Sequence, residues 1–507
     1  MSVYNFTAPD PDPDYERLPD HVLDALAVTE PADAEPSGSS WDDLDADPTA
    51  EARAVAQINP TAYELTDVGN AARFADSQSG AYRYVPAWGT WLRWDGTRWR
   101  RDTLGDVTEA AKTMVQDMLT AVAAIGDSDQ RKKAAAWALR SQDARRIDAL
   151  LRLARTDPVF AIEADQLDAN RWLLNCMNCT VNLATGAAHT HDPADNCTKL
   201  APVRFDPDAD APRWRHFLAT VLPDPEVREF LLRALGYTLT GDVREQVIII
   251  GTGRGSNGKS VLVDTIRTLM GDYAQAGDPD LIMAKDAAHP TGQARLQGAR
   301  FVVVSESDDH RRLAEATVKR LTGSDQLVAR YMRQDFFEFT PSHKLWLVTN
   351  HKPKVSGTDH AIWRRIRLIP FDVVIADEDQ DKELPAKLLA EGAGILADLV
   401  AACRRWAAQG LTSPLAVTLA TSAYRADEDL LGAFLADCCD LTNPDTHTTS
   451  ADLYAAYKRW AAAAGEDAMT QRALAPLLRE RGLDSVKHGT VRWLGVRLTT
   501  EPQGSIL

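Results

Sequence analysis

Gly253-Arg254-Gly255-Ser256-Asn257-Gly258-Lys259-Ser260 decides the fold. Ahead of it, Gln246-Val247-Ile248-Ile249-Ile250-Gly251-Thr252 is an apolar, β-branched run that reads as a buried strand. Behind it, Val261 to Met270 reads as a helix. Strand, glycine loop and helix in that order are the setting of a G-x-x-x-x-G-K-[ST] loop. Glycines let the backbone turn tightly and aim its N–H groups at phosphate oxygens, and the helix start adds partial positive charge. In such a loop Lys259 reaches the β- and γ-phosphates and the Ser260 hydroxyl sits on Mg²⁺. The expected cradle is Gly253, Gly255, Ser256, Asn257, Gly258, Lys259, Ser260 and Val261, with ATP and Mg²⁺ as its ligands.

Downstream segments supply what such a loop requires. Phe301-Val302-Val303-Val304-Ser305-Glu306 reads as a second buried strand ending in an acid. A carboxylate there lies beside Mg²⁺ and can orient or deprotonate water, which makes Glu306 the expected acid and Asp308 its support. Leu327 to Phe339 reads as a hairpin with a basic tip that could track a phosphate backbone, or as an ordinary exposed hairpin. Lys344 to Thr349 reads as a third buried strand, ending at Asn350. Trp363-Arg364-Arg365-Ile366 places guanidiniums before a last strand. Arginine stays charged and binds phosphate in a fork, so either residue could reach a neighbour's γ-phosphate.

With 507 residues the chain is too long for one core, so several domains are expected. A composition 45% hydrophobic and 25% charged is globular, and no apolar run reaches membrane-spanning length. A cytoplasmic location without a membrane partner is the expectation. The net charge of −17 is uneven: residues 1–50 hold 13 acidic residues and one basic one, leaving −5 for the rest. Net charge therefore neither requires nor excludes nucleic acid. The acidic arm is too poor in apolar residues to offset its ordering entropy. Six cysteines in a chain this long do not suggest a disulfide scaffold. Cys176 and Cys179, with His189, His191 and Cys197, are spaced irregularly for zinc, and buried thiols are the simpler reading. Trp91-x-x-Trp94 followed by Asp95-Gly96 suggests a β-hairpin. Its aromatics and Arg93, Arg98, Arg100 and Arg101 could stack on bases, or form a small aromatic core with solvated arginines.

The wording and order of these segments resemble the helicase module of phage, plasmid and poxvirus primase–helicases, in helicase superfamily III of the AAA+ ATPases. The similar phrases are Gly258-Lys259-Ser260, Val304-Ser305-Glu306, Lys319-Arg320-Leu321-Thr322-Gly323, Asp335-Phe336-Phe337-Glu338-Phe339, Leu347-Val348-Thr349-Asn350-His351-Lys352-Pro353 and Trp363-Arg364-Arg365-Ile366-Arg367. The resemblance implies Lys259 and Ser260 on phosphate and Mg²⁺, Glu306 as the acid holding Mg²⁺, and Asn350 as sensor between the two nucleotide-binding strands. It implies Arg364 or Arg365 as the finger acting on the adjacent subunit. Lys319, Arg330 and Arg333 would face single-stranded DNA in the channel of a ring, usually a hexamer. Relatives often carry a primase domain upstream. Only ~70 mostly acidic residues precede the similar region here, so priming is expected from a separate protein.

The expected architecture is α/β. An acidic arm (1–65) precedes an α+β domain (66–240), an AAA+ P-loop ATPase core (241–378) and a helical lid (379–440). A winged-helix-like domain follows (441–507), whose Arg472, Arg479, Arg481, Lys487 and His488 could grip duplex DNA, or whose fold could dock protein. The expected function is an ATP-dependent DNA helicase of a phage, plasmid or mobile element. The main rival is an origin-binding ATPase that melts DNA without processive unwinding. A small-molecule P-loop kinase or a replisome scaffold accounts for fewer of the motifs.

Overall fold

The computed structural model describes residues 62–284, 290–306, 311–330, 335–355 and 360–499. The chain divides between Leu167 and Asp168 into two units, a boundary inside the 66–240 stretch that composition alone treats as one domain.

The first unit opens on helix α1 (Asp67–Gln78). The Thr66 side chain accepts from the Gly69 N–H at 3.0 Å and caps its start. A three-stranded antiparallel sheet follows, β1 (Tyr82–Val85), β2 (Thr90–Trp94) and β3 (Trp99–Arg101). The β2–β3 turn forms because the Asp95 carboxylate accepts from the Thr97 and Arg98 N–H groups, while Gly96 takes φ +93°. Trp99 is buried. Trp91 packs on Tyr84 and Phe160 with ring centres 5.1 and 5.3 Å away, and Trp94 packs on Trp99 at 5.5 Å. These rings pack on one another as a small core, with Trp91 and Trp94 half-buried. Helices α2 (Asp106–Ala121), α3 (Ser128–Ser141) and α4 (Ala144–Ala154) complete the unit.

In the second unit a meander of β4 (Leu173–Asn175), β5 (Thr180–Asn182) and β6 (Ala188–His189) leads to α5 (Pro212–Val221) and α6 (Pro225–Leu239). The strand β7 (Ile248–Thr252), helix α7 (Lys259–Met270) and strands β8 (Ala274–Gly277) and β9 (Phe301–Glu306) follow. Next come α8 (Glu315–Leu321), the antiparallel pair β10 (Leu327–Ala329) and β11 (Phe337–Phe339), then β12 (Lys344–Thr349) and β13 (Ile366–Pro370). Five of these strands form one parallel sheet, ordered β13-β7-β12-β9-β8.

The sheet is apolar on both faces, as parallel sheets must be. Ile248, Ile250, Val302, Val304, Leu345 and Leu347 enter one core. Ile249, Phe301, Val303 and Trp346 enter the other, with α5, α6 and α7. The period of two sorts near-continuous Val/Ile/Leu runs into two cores. Each such buried side chain contributes ~1.5–3 kcal/mol.

Two buried cations fasten the far edge of this sheet. Arg300, just before β9, donates to the carbonyls of Leu239 (2.7 Å) and Leu173 (2.8 Å). Lys344, opening β12, donates to the carbonyls of Thr240, Asp242 and Ser342. Both satisfy carbonyls at or beyond the C-terminus of α6, where the helix dipole is negative. Burial holds the Lys344 amine well below its ordinary pKa.

Beyond the sheet, α9 (Gly392–Gln409) packs along α6 closely enough that a Cβ at Gly236 would lie 2.3 Å from the Cys403 nitrogen. Helices α10 (Leu415–Asp427) and α11 (Leu430–Cys438) follow. The C-terminal module then adds β14 (His447–Thr449), α12 (Ser450–Ala463), α13 (Gln471–Glu480), β15 (Ser485–His488) and β16 (Thr490–Leu494). Its strands pair in the order β14-β16-β15 around Phe434, Leu453, Tyr457, Leu474 and Trp493. No described helix is long and apolar enough to cross a membrane.

Candidate functional site

The loop from Gly253 to Gly258 joins the C-terminal end of β7 to the start of α7. Its turn needs left-handed backbone at Gly255 (φ +97°), Ser256 (φ +45°) and Gly258 (φ +79°). Gly258 is also closely packed, since a Cβ there would lie 2.6 Å from Val221 Cγ1 and 2.9 Å from Phe217 Cε2. Thus α5, from outside the motif, holds the loop against the helix start. The segment after β13 braces the other side: Phe371 N–H donates to the Thr252 carbonyl (2.8 Å) and Ile375 N–H to the Ser256 carbonyl (2.7 Å).

A cavity of about 410 Å³ opens above the loop. Gly255 through Val261 line one side, and Ser305, Val348, Thr349 and Asn350 line the other. Lys259 is 5% exposed. Its Nζ donates to the Gly253 carbonyl (2.8 Å) and Asn257 Oδ1 (2.9 Å), and lies 3.4 Å from Asn350 Oδ1. Burial lowers its pKa from the ordinary lysine value. An ammonium held by neutral oxygens, beside a hydroxyl and a helix start, can exchange those partners for an anion's oxygens.

Asn350 directly follows β12, which lies between β7 and β9, so the loop, Ser305 and Asn350 share one sheet edge. The sequence alone did not point to Ser305 or Thr349. Their place follows from strand order, for which a local pattern carries no signal. Glu306 closes β9 opposite Thr349. The Glu306 side chain, Asp308 and Arg333 lie outside the described residues.

Arg364 and Arg365 precede β13, at the opposite edge of the sheet. They differ sharply. Arg365 is buried and donates to Ala361 O (2.8 Å), Thr322 Oγ1 (3.2 Å) and Gln246 Oε1 (3.3 Å). Arg364 is exposed. Lys319 is half-buried on α8, and the Arg330 guanidinium lies 5.0 Å from the Phe336 ring centre beside the β10–β11 pair. Cys176, Cys179 and Cys197 are buried thiols, and His189 and His191 do not join them in a ligand cluster.

The residues following Asn350 are gripped from elsewhere in the unit. Tyr424 OH donates to the Pro353 carbonyl, and the Val355 N–H donates to Glu428 Oε2 (2.8 Å). Lys352 pairs with Asp427 (3.1 Å) and Lys354 with Glu466 (2.9 Å).

Comparison with known proteins adds the following. A family model described as D5 N terminal like matches residues 71–223, and a family of unknown function matches residues 251–365. A protein of Acanthamoeba polyphaga mimivirus named "putative helicase" is 26% identical over 319 residues, 58% of this chain and 33% of that one. A Frog virus 3 protein with the same style of name is 29% identical over 271 residues, 49% of this chain and 27% of that one. An African swine fever virus protein named "putative primase" is 24% identical over 214 residues, 40% of this chain and 22% of that one. The chain thus matches about a third or less of these relatives' length. Among solved structures, the apo C-terminal region of NrS-1 aligns over 82% of this chain and 96% of its own, at 12% identity and a TM-score of 0.46.

Proposed function

We propose that this chain, a member of the D5-like primase–helicase family, is an ATP-dependent DNA helicase of a phage, plasmid or mobile-element replicon, working as a ring in the cytoplasm. Its core is read as an AAA+ ATPase of superfamily III, and its C-terminal module as a winged helix. One observation carries the reading. The loop, Lys259 and Asn350 lie at the C-terminal edge of the sheet, while Arg364 stands before β13 at the other edge. Five residues of strand separate those edges by ~16 Å. The arginine is therefore suited to a neighbour's nucleotide rather than its own, and a closed ring, a hexamer by family resemblance, supplies every site with one.

In this reading Gly253, Gly255, Ser256, Asn257, Gly258 and Val261 shape the phosphate cradle, and Lys259 and Ser260 contact the phosphates. Ser260 and Glu306 would hold Mg²⁺, which supplies charge neutralisation at the transferred phosphoryl group. Glu306 and Asn350 orient the attacking water. Lys319, Arg330 and Arg333 face a single strand in the channel, and the C-terminal module takes duplex DNA. A separate primase would supply primers.

The test is ATP hydrolysis with and without single-stranded DNA, by the wild type and Lys259→Ala. The wild type should be stimulated by DNA and the variant should fall to background with its fold kept. Hydrolysis by the variant at the wild-type rate refutes the site.

A second reading, an origin-binding ATPase that melts DNA without processive unwinding, is favoured by the C-terminal module, where Arg472, Arg479 and Lys487 are exposed. Strand displacement on a fork without an origin separates the two: the helicase unwinds it and the melting factor does not.

A further inference from the structure

The Asn257 side chain is 3% exposed and occupied at both ends. Its Nδ2 donates to the Phe371 carbonyl at 3.0 Å, and its Oδ1 accepts from Lys259 Nζ at 2.9 Å. The surroundings leave little room: a Cβ on Gly253 would sit 2.3 Å from that Nδ2 and 2.2 Å from the Phe371 oxygen. Only a short carboxamide offers a donor and an acceptor in opposite directions at this length. A carboxylate keeps the acceptor and loses the donor.

An ammonium has three donors. Two of those on Lys259 are taken by its own loop, at Gly253 and Asn257, both within 2.9 Å. The remaining contact, to Asn350 across the cavity, is the longest at 3.4 Å. It is the one most readily given up to an incoming anion. Phe371, which anchors the carboxamide, also pins the end of β7 through its N–H and directly follows the strand that begins after Arg365.

We propose that Asn257 is a positioning residue. Its carboxamide holds the Lys259 amine with one N–H directed across the cavity, and clamps the phosphate loop to the end of β13, so that a nucleoside triphosphate meets a lysine already aimed. The inference rests on the nucleotide reading of the site. Asn257 itself need not touch the reacting atoms.

The experiment uses the full chain with Mg²⁺ and ATP, comparing wild type, Asn257→Ala and the isosteric Asn257→Asp. KM and kcat for hydrolysis are read together with the melting midpoint of the nucleotide-free protein. Asn257→Ala should raise KM at least tenfold while kcat changes less than threefold. Asn257→Asp should lose more than a hundredfold in kcat/KM, because the carboxylate retains Lys259 and repels phosphate. A merely structural role instead lowers melting and kcat together at constant KM, and that pattern overturns the proposal. Should Asn257→Ala not fold, Asn257→Asp decides alone: a kcat/KM within twofold of wild type overturns it. If the wild type itself hydrolyses no ATP, the nucleotide reading falls and the inference with it. If the wild type is active and Asn257→Ala keeps its KM, only the inference falls.

Discussion

Two neighbouring arginines should fail in opposite ways. The Arg365 guanidinium is enclosed and donates to a backbone carbonyl, a threonine hydroxyl and a glutamine carboxamide. Arg365→Ala strands these acceptors and opens a cavity between β7 and α8. Hydrogen bonds from a charged donor are worth ~1.5–3 kcal/mol each and do not add fully, so the loss is about 3–5 kcal/mol. Arg364→Ala removes an exposed side chain and should change stability by less than ~0.5 kcal/mol. In catalysis the order reverses. An arginine supplied in trans accelerates phosphoryl transfer by ~10³–10⁵, or about 4–7 kcal/mol of barrier. Arg364→Ala should therefore be folded and assembled but nearly inactive, and Arg365→Ala destabilised, with any folded fraction still turning over. Urea unfolding measures the first quantity. ATP turnover with DNA, at matched assembly by light scattering, measures the second. Turnover of Arg364→Ala within threefold of wild type, or a fully stable but dead Arg365→Ala, would refute the reasoning.

Two further substitutions probe the frame. His343, fully enclosed before β12 and beside the Lys344 amine, has its pKa lowered to about 4, chiefly by burial. The folded ring stays neutral where the unfolded one takes a proton. Its contribution to stability is present above pH 6.5 and lost as pH falls towards 4, about 3 kcal/mol in all. Urea unfolding of wild type and His343→Gln across that range should show a shallower decline in the variant, and equal slopes would count against it. Gly258→Ala must adopt φ +79° and displace Val221 and Phe217. Left-handed strain of ~1–2 kcal/mol and overpacking of ~1–3 kcal/mol predict a lower melting midpoint together with lost ATP binding. Calorimetry and titration with a fluorescent ATP analogue would check both.

The parts legible in the sequence are those written in local pattern. β7, β9 and β12 are near-continuous Val, Ile and Leu runs, and the Gly258-Lys259 pair marks where a helix can start. Other features depend on partners distant in sequence. Gly394 packs against the Asp210 backbone and Gly236 against Cys403, so residues 168–240 belong with α9 rather than with the preceding unit. No window of sequence holds both members of such a pair. Arg364 and Arg365 are indistinguishable as letters, and only burial separates them. The Trp-rich hairpin carries both aromatics and arginines, and only the structure shows that its rings pack on one another.

Between Asn350 and Val355 lie five peptide links, and the backbone or side chain of every residue from Lys352 to Val355 is fastened to Tyr424, Asp427, Glu428 or Glu466. Two of these fastenings are hydrogen bonds on the backbone and two are partly exposed ion pairs. The same segment also bonds to Arg311 and Leu313 through the Lys354 backbone, so the residue that borders the cavity and the C-terminal module are joined to one short, many-anchored stretch of chain.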